Sequence, residues 1–287
     1  MRASEWIQAG FAVAIALAAW AAPLSLQRRR KIALLALTAL AGIFFARVCA
    51  TFLGPVRGSI LRDWVPVVIT LIPYWQTGQF FVRPNARIQR WLLASDRRVF
   101  RLLSRTGWTF GPAIRVSLEW AYSFCYPIVP LGLGTLYLAG LRRFADTYWF
   151  LVLVPTYICY AITPFFPALP PRSLGRSDTT SHVNKSRRLN LWLAKHGSIH
   201  AISFPSAHVA STLGASLALL HYVPAAGIIF LAISFWIAVA AVVGRYHYTI
   251  DVLLGALVSV AVYLVWRAEW IPSSIFAAGA ISPATFG

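Results

Sequence analysis

Acidic side chains are scarce: the 287 residues hold 8 Asp and Glu against 26 Lys and Arg, a formal charge of +18 with histidines neutral. Charge of either sign is thin, at 12% of residues, where soluble domains carry about 25%. A soluble globule of this length has too much surface to cover with so few charges. Cysteine is nearly missing. Cys49, Cys125 and Cys159 each sit inside an apolar stretch, which excludes a disulfide framework and a paired-cysteine metal site. No internal repeat or low-complexity segment stands out.

What is abundant is apolar surface, with 59% hydrophobic residues against roughly 45–50% in an average soluble domain. The fold class expected is an all-α integral membrane protein, a polytopic helix bundle. Its basic excess then points to anionic phospholipid headgroups or an anionic substrate, and nucleic acid drops out as a partner. A membrane span needs about 20 mostly apolar residues. Eight segments qualify or nearly so: 5–26, 32–53, 64–82, 116–138, 147–168, 205–222, 224–244 and 247–267. The third is the weakest, because Pro66 and Pro73 interrupt it, so the count is seven to eight. The first has the reverse of a signal peptide's polarity, with Arg2 before it and Arg28-Arg29-Arg30-Lys31 after it, and reads as a retained span.

Between the third and fourth spans, residues 83–115 carry eight arginines, while Ile88, Trp91, Leu92, Val99, Leu102 and Leu103 recur at helical spacing. That pattern predicts an amphipathic helix in the headgroup layer. The organisation expected is an N-terminal transmembrane addition over 1–63, the weak span and basic helix over 64–115, a catalytic core over 116–267 and a tail over 268–287. With eight spans, one membrane face carries 19 basic residues and the other 6; if 64–82 does not cross, the tally is 18 to 7. The rich face is cytoplasmic by the positive-inside rule.

Ionisable residues at membrane depth are costly and mark functional sites. Span parity brings four of them to one face: Arg172 after the fifth span, His208 at the start of the sixth, Arg245 after the seventh and His247 before the eighth. His247, Asp251, Gly255 and Ser259 are four apart, as are His208, Thr212 and Ser216, so two polar stripes are expected to face each other. A carboxylate at Asp251 holding one ring nitrogen of His247 leaves the other as a nucleophile. His208 is then a proton donor to a leaving alkoxide. Arg172 and Arg245, with Ser206 at a helix start, are phosphate-oxygen donors. Together they describe phosphoryl transfer through a phosphohistidine. A two-metal centre wants several carboxylates, and this face offers only Asp96, Asp178 and Asp251. No metal and no cofactor is therefore expected. A serine hydrolase finds no G-x-S-x-G elbow. A non-catalytic lipid transporter or scramblase is the rival reading, but it wants polar groups through the whole membrane depth. Glu119, near Tyr122 and Tyr126, reads as a headgroup contact or an arginine partner; His182, His196 and His200 read as loop histidines.

Pro205-Ser206-Ala207-His208 followed by His247-Tyr248-Thr249-Ile250-Asp251 resembles the second and third signatures of the type 2 phosphatidic acid phosphatase (PAP2) superfamily. Pro170-Pro171-Arg172 is similar to the first signature in the branch containing inositol phosphorylceramide synthases. The resemblance, over roughly 110–267, implies a six-helix catalytic bundle, His247 as nucleophile, Asp251 as its orienter, His208 as general acid, and Arg172 and Ser206 as phosphate binders. It also implies a membrane lipid as substrate and, in that branch, a polyol acceptor such as inositol. Three positions depart from the signatures: Ala241 stands where an arginine is usual, Ala207 for a glycine and Phe165 for a lysine. These departures favour the transferase-like branch over a complete phosphatase set.

Overall fold

The computed structural model of the protein describes residues 1–105, 111–174, 185–199, 201–272 and 274–277, and among these no strand forms. His182, His200 and Asp178 lie outside the described residues, as does the end of the tail. The chain begins with α1 (Ala3–Ala21) and α2 (Leu26–Phe52), a tight helical hairpin. Then follow α3 (Gly54–Ile69), α4 (Leu71–Gly78), α5 (Ala86–Arg105), α6 (Pro112–Ser123), α7 (Ile128–Leu138) and α8 (Ala145–Ile162). The C-terminal part holds α9 (Lys185–His196), α10 (Ala207–Tyr222), α11 (Pro224–Val243) and α12 (Thr249–Arg267).

Among the described residues five helices are long and apolar enough to cross a membrane: α1, α2, the run Arg142–Phe165 around α8, α11 and α12. A sixth arises if α6 and α7, bent by 71°, count as one. The chain is thus built as a membrane protein, with five to six helices that meet the length and hydropathy of a span where seven to eight spans, the third interrupted by prolines, were expected. Proline chemistry explains the difference. Pro73 has no N–H for the carbonyl of Ile69, and α3 stops at Ile69; Pro127 has none for Ser123, and α6 stops at Ser123. The sixth segment is confined between the Ser206 cap and Pro224, leaving α10 only 16 residues.

The broken pair α3–α4 nevertheless runs between the two ends of the bundle. At one end Asp63 pairs with Arg2 and Arg142 and accepts from the Tyr137 hydroxyl. Nearby, Arg62 holds Glu5, and Asp146 caps α1 by accepting from the N–H groups of Ala3 and Ser4. At the other end Gly78 lies hard against Ile199, and Arg28 donates to the carbonyls of Gln79 and Phe81. Buried charges of this kind are tolerated because each has a partner. Their pairing locks the N-terminal hairpin to the start of α8.

Helix α8 is the centre of the core. Tyr148, Trp149, Leu151, Val152 and Leu153 are fully buried among α1, α10 and α12. Gly214 of α10 lets that helix close on α8, since a Cβ there would lie 2.2 Å from the Leu151 carbonyl oxygen. Helix α5 is amphipathic as expected. Leu92 is buried against Ala168, Ile202, Phe204 and Tyr248, while Arg87, Arg90, Arg97 and Arg98 are exposed. Trp91 and Leu102 from the expected apolar face are exposed too, as suits a helix lying against lipid.

Candidate active site

The turn between α11 and α12 builds the site. Arg245 takes a positive φ of 61°, and the N–H groups of Tyr246 and His247 both donate to the Ala241 carbonyl. His247 therefore precedes α12 instead of riding on it, and the four-residue spacing to Asp251 works as a cap. Asp251 accepts from the N–H of Tyr248 at 3.1 Å and sits 3.1 Å from Nδ1 of His247. Its backbone carbonyl accepts from the Ser206 N–H at 3.0 Å, which pins the start of α10 beside it. Gly255 permits this approach, because a Cβ there would lie 2.4 Å from the Ser206 carbonyl oxygen. Nε2 of His247 faces Nδ1 of His208 at 3.3 Å. The result is a continuous line from a fully buried carboxylate through two imidazoles.

Those imidazoles open into a cavity of about 320 Å³, which Arg172, Tyr122, Tyr126, Ser211 and Tyr246 also line. Arg172 stacks its guanidinium over the Tyr246 ring at 5.5 Å, and its backbone N–H donates to the Arg245 carbonyl at 2.9 Å. The ring of Tyr126 stands edge-on to His208, with centroids 5.9 Å apart. The structure thus brings together His247, His208, Asp251 and Arg172. It places two other expected site residues differently. Ser206 is fully buried, its Oγ accepting from the Val209 N–H as the α10 cap, and it does not line the cavity. Arg245 points its exposed side chain toward the Pro171 carbonyl, so its backbone serves the site, not its guanidinium. The two polar stripes also part company: Ser216 bonds Ser234 of α11 instead of facing α12. Among the described residues no group of three His, Cys, Asp or Glu side chains is placed to hold a metal ion.

Sequence reasoning missed the supports of this line. Tyr246 donates its hydroxyl to Glu119 at 2.6 Å and stacks on Tyr122 at 3.8 Å. Glu119 also accepts from Arg187 at 2.7 Å and from Asn190 at 2.9 Å, tying α9 to α6 and to the residue before His247. Asp96 of α5 accepts from the Thr249 N–H at 2.8 Å and caps α12; burial holds its carboxyl above the usual range, against the pull of that N–H. In the sequence Glu119 stood out as an acid within an apolar segment, but only folding named Arg187, Asn190 and Tyr246 as its partners. Glu119→Ala is expected to lower kcat about 10- to 100-fold by freeing Tyr246 and the Arg172 stacked on it, with Glu119→Gln recovering most of the loss. Steady-state kinetics of the two variants, with thermal melts showing that both stay folded, check this.

The family model of the PAP2 superfamily matches residues 88–265, well over half of the chain. No curated protein and no solved structure matches it. The matched stretch holds α5 to α12 with Arg172, His208, His247 and Asp251, and the chain belongs to the PAP2 superfamily.

Proposed function

We propose that the protein is a metal-independent membrane enzyme that cleaves or transfers a phosphoester of a lipid through a phosphohistidine at His247. Membership of a superfamily of phosphoesterases and phosphotransferases makes phosphatase-type activity the parent reading. The observation that carries the finer one is the Asp251–His247–His208 line ending at a cavity with Arg172 on its wall. Asp251 keeps the proton on Nδ1 of His247, which leaves the Nε2 lone pair to attack phosphorus. The P–O bond to the leaving group breaks as His208 gives its proton to the departing oxygen. Arg172 and the N-terminus of α10 balance charge on the phosphoryl oxygens. His208 then takes a proton from water or an alcohol, whose oxygen attacks phosphorus and breaks the N–P bond. Hydrolysis and transfer differ only in that acceptor. Phe165, which is exposed, and Ala241, packed in the core, replace the two further cations of the usual phosphatase set, and this supports transfer to an alcohol such as inositol.

The site face is the cytoplasmic one in this reading. Arg2, Arg62 and Arg142 at the opposite end are paired with Glu5 and Asp63, and the site end presents the exposed arginines of α5, which suit anionic headgroups. The experiment is turnover of labelled phosphatidic acid by the reconstituted protein, with and without inositol. Release of phosphate or formation of a phosphoinositol product, unchanged by a chelator, is the expected result. Abolition by the chelator defeats the metal-free mechanism, and no turnover of any lipid phosphoester defeats the reading.

A further inference from the structure

The cavity that ends at the two histidines is deeper than a phosphate requires. Along α8 it is lined by Trp149, Val152, Thr156 and Tyr160, one helix face over 11 residue steps and so about 16 Å of depth at 1.5 Å per step. That is roughly half of a hydrocarbon core about 30 Å thick. The facing wall comes from the broken helix, with Val67, Leu71 and Trp75 at steps of four along α3 and α4. All three precede residue 88, where the superfamily match begins.

The rim shows where the cavity leads. Leu71 and Trp75 from one wall and Tyr126 from another line it and are partly exposed. Helix α4 packs on α1, α2, α3 and α8, which leaves the exposed edges of Leu71, Trp75 and Tyr126 as the route by which an apolar chain would reach the cavity from lipid. At its upper end Trp75 donates to the Gly197 carbonyl at 3.2 Å, which closes the wall beneath the segment that follows α9. A small soluble phosphoester would leave this apolar depth unfilled. A lipid whose phosphate reaches Arg172 and His247 has a chain that must go somewhere, and the cleft is continuous with both.

We infer that the α3–α4 wall is the binding site for the apolar chain of the substrate. The segment outside the superfamily match thus selects the lipid, while the matched core does the chemistry. The inference rests on the phosphoester reading above.

The test compares dioleoyl with dibutyryl phosphatidic acid on the full chain in nanodiscs. Leu71→Trp, which fills the cleft, is expected to lower the kcat/KM ratio of the long-chain over the short-chain lipid at least about tenfold. Leu17→Trp, on the exposed face of α1, leaves that ratio unchanged. An unchanged ratio in Leu71→Trp overturns the inference. If no phosphoester turns over, the phosphoester reading fails by itself, and phosphatidic acid with a diazirine in its chain still tests the wall. Crosslinking to the peptide spanning 67–75, lost in Leu71→Trp and kept in Leu17→Trp, supports a chain site there. Labelling confined to other peptides overturns it.

Discussion

His247→Ala is expected to reduce turnover of a lipid phosphate by at least about a thousandfold and to abolish phosphorylation of the protein by a ³²P-labelled substrate. The wild-type label is expected to be acid-labile and alkali-stable, as a phosphoramidate is, and to map to the peptide containing His247. The size of the effect follows from geometry. Nε2 of His247 is the ring nitrogen that faces the cavity side, with Nδ1 held by a carboxylate that is wholly out of solvent. Among the described residues no other side chain stands in line with Asp251 to replace it. Asp251→Asn is the companion variant, because it keeps the shape and the cap on Tyr248 but loses the acceptor that fixes the tautomer. A loss of comparable order with normal folding supports the line; full turnover by His247→Ala ends the phosphohistidine mechanism.

The second large effect belongs to His208, and its signature is dependence on the leaving group. A general acid contributes about 10²- to 10⁴-fold, and it does so by supplying a proton that a poor leaving group needs. His208→Gln is therefore expected to lose most of its activity on phosphatidic acid, whose leaving group is an alkoxide. The same variant should lose far less in the phosphorylation step with p-nitrophenyl phosphate, whose phenolate departs unaided. Since His208 also takes the proton from the acceptor, the variant should accumulate phosphoenzyme on the activated substrate, visible as a burst. Equal losses on both substrates, without a burst, would assign His208 a packing role against Tyr122 and Tyr126 instead of proton transfer.

Much of the site was legible because it is built from local chemistry. The spacing of His247 and Asp251, the proline-serine start of α10 and the parity of apolar segments are properties of short stretches. They put Arg172, His208 and His247 at one end without knowledge of packing. The amphipathic helix α5 was legible for the same reason, since its periodicity is local. The ion pairing of Glu119 was half legible: an arginine partner was one of two readings, but neither Arg187 nor the hydroxyl of Tyr246 could be named.

Apolarity, charge balance and the prolines of this chain determined a helical membrane protein with a cluster of histidines and arginines at one end, because each acts within a few residues of itself. Tertiary structure decided what those residues do. A hydroxyl such as that of Ser206 caps a helix or binds a ligand according to which neighbour arrives first, and the Arg245 turn spends its backbone on Arg172 while its side chain leaves the cavity. Span counting treats an apolar run as a straight rod, but prolines at 73 and 127 break two such runs, and only packing shows that the broken pair α3–α4 becomes the wall of the cavity. That residues 67–75 share one cavity with the histidines some 130–180 positions later leaves no trace in spacing, since it depends on how the helices close around α8.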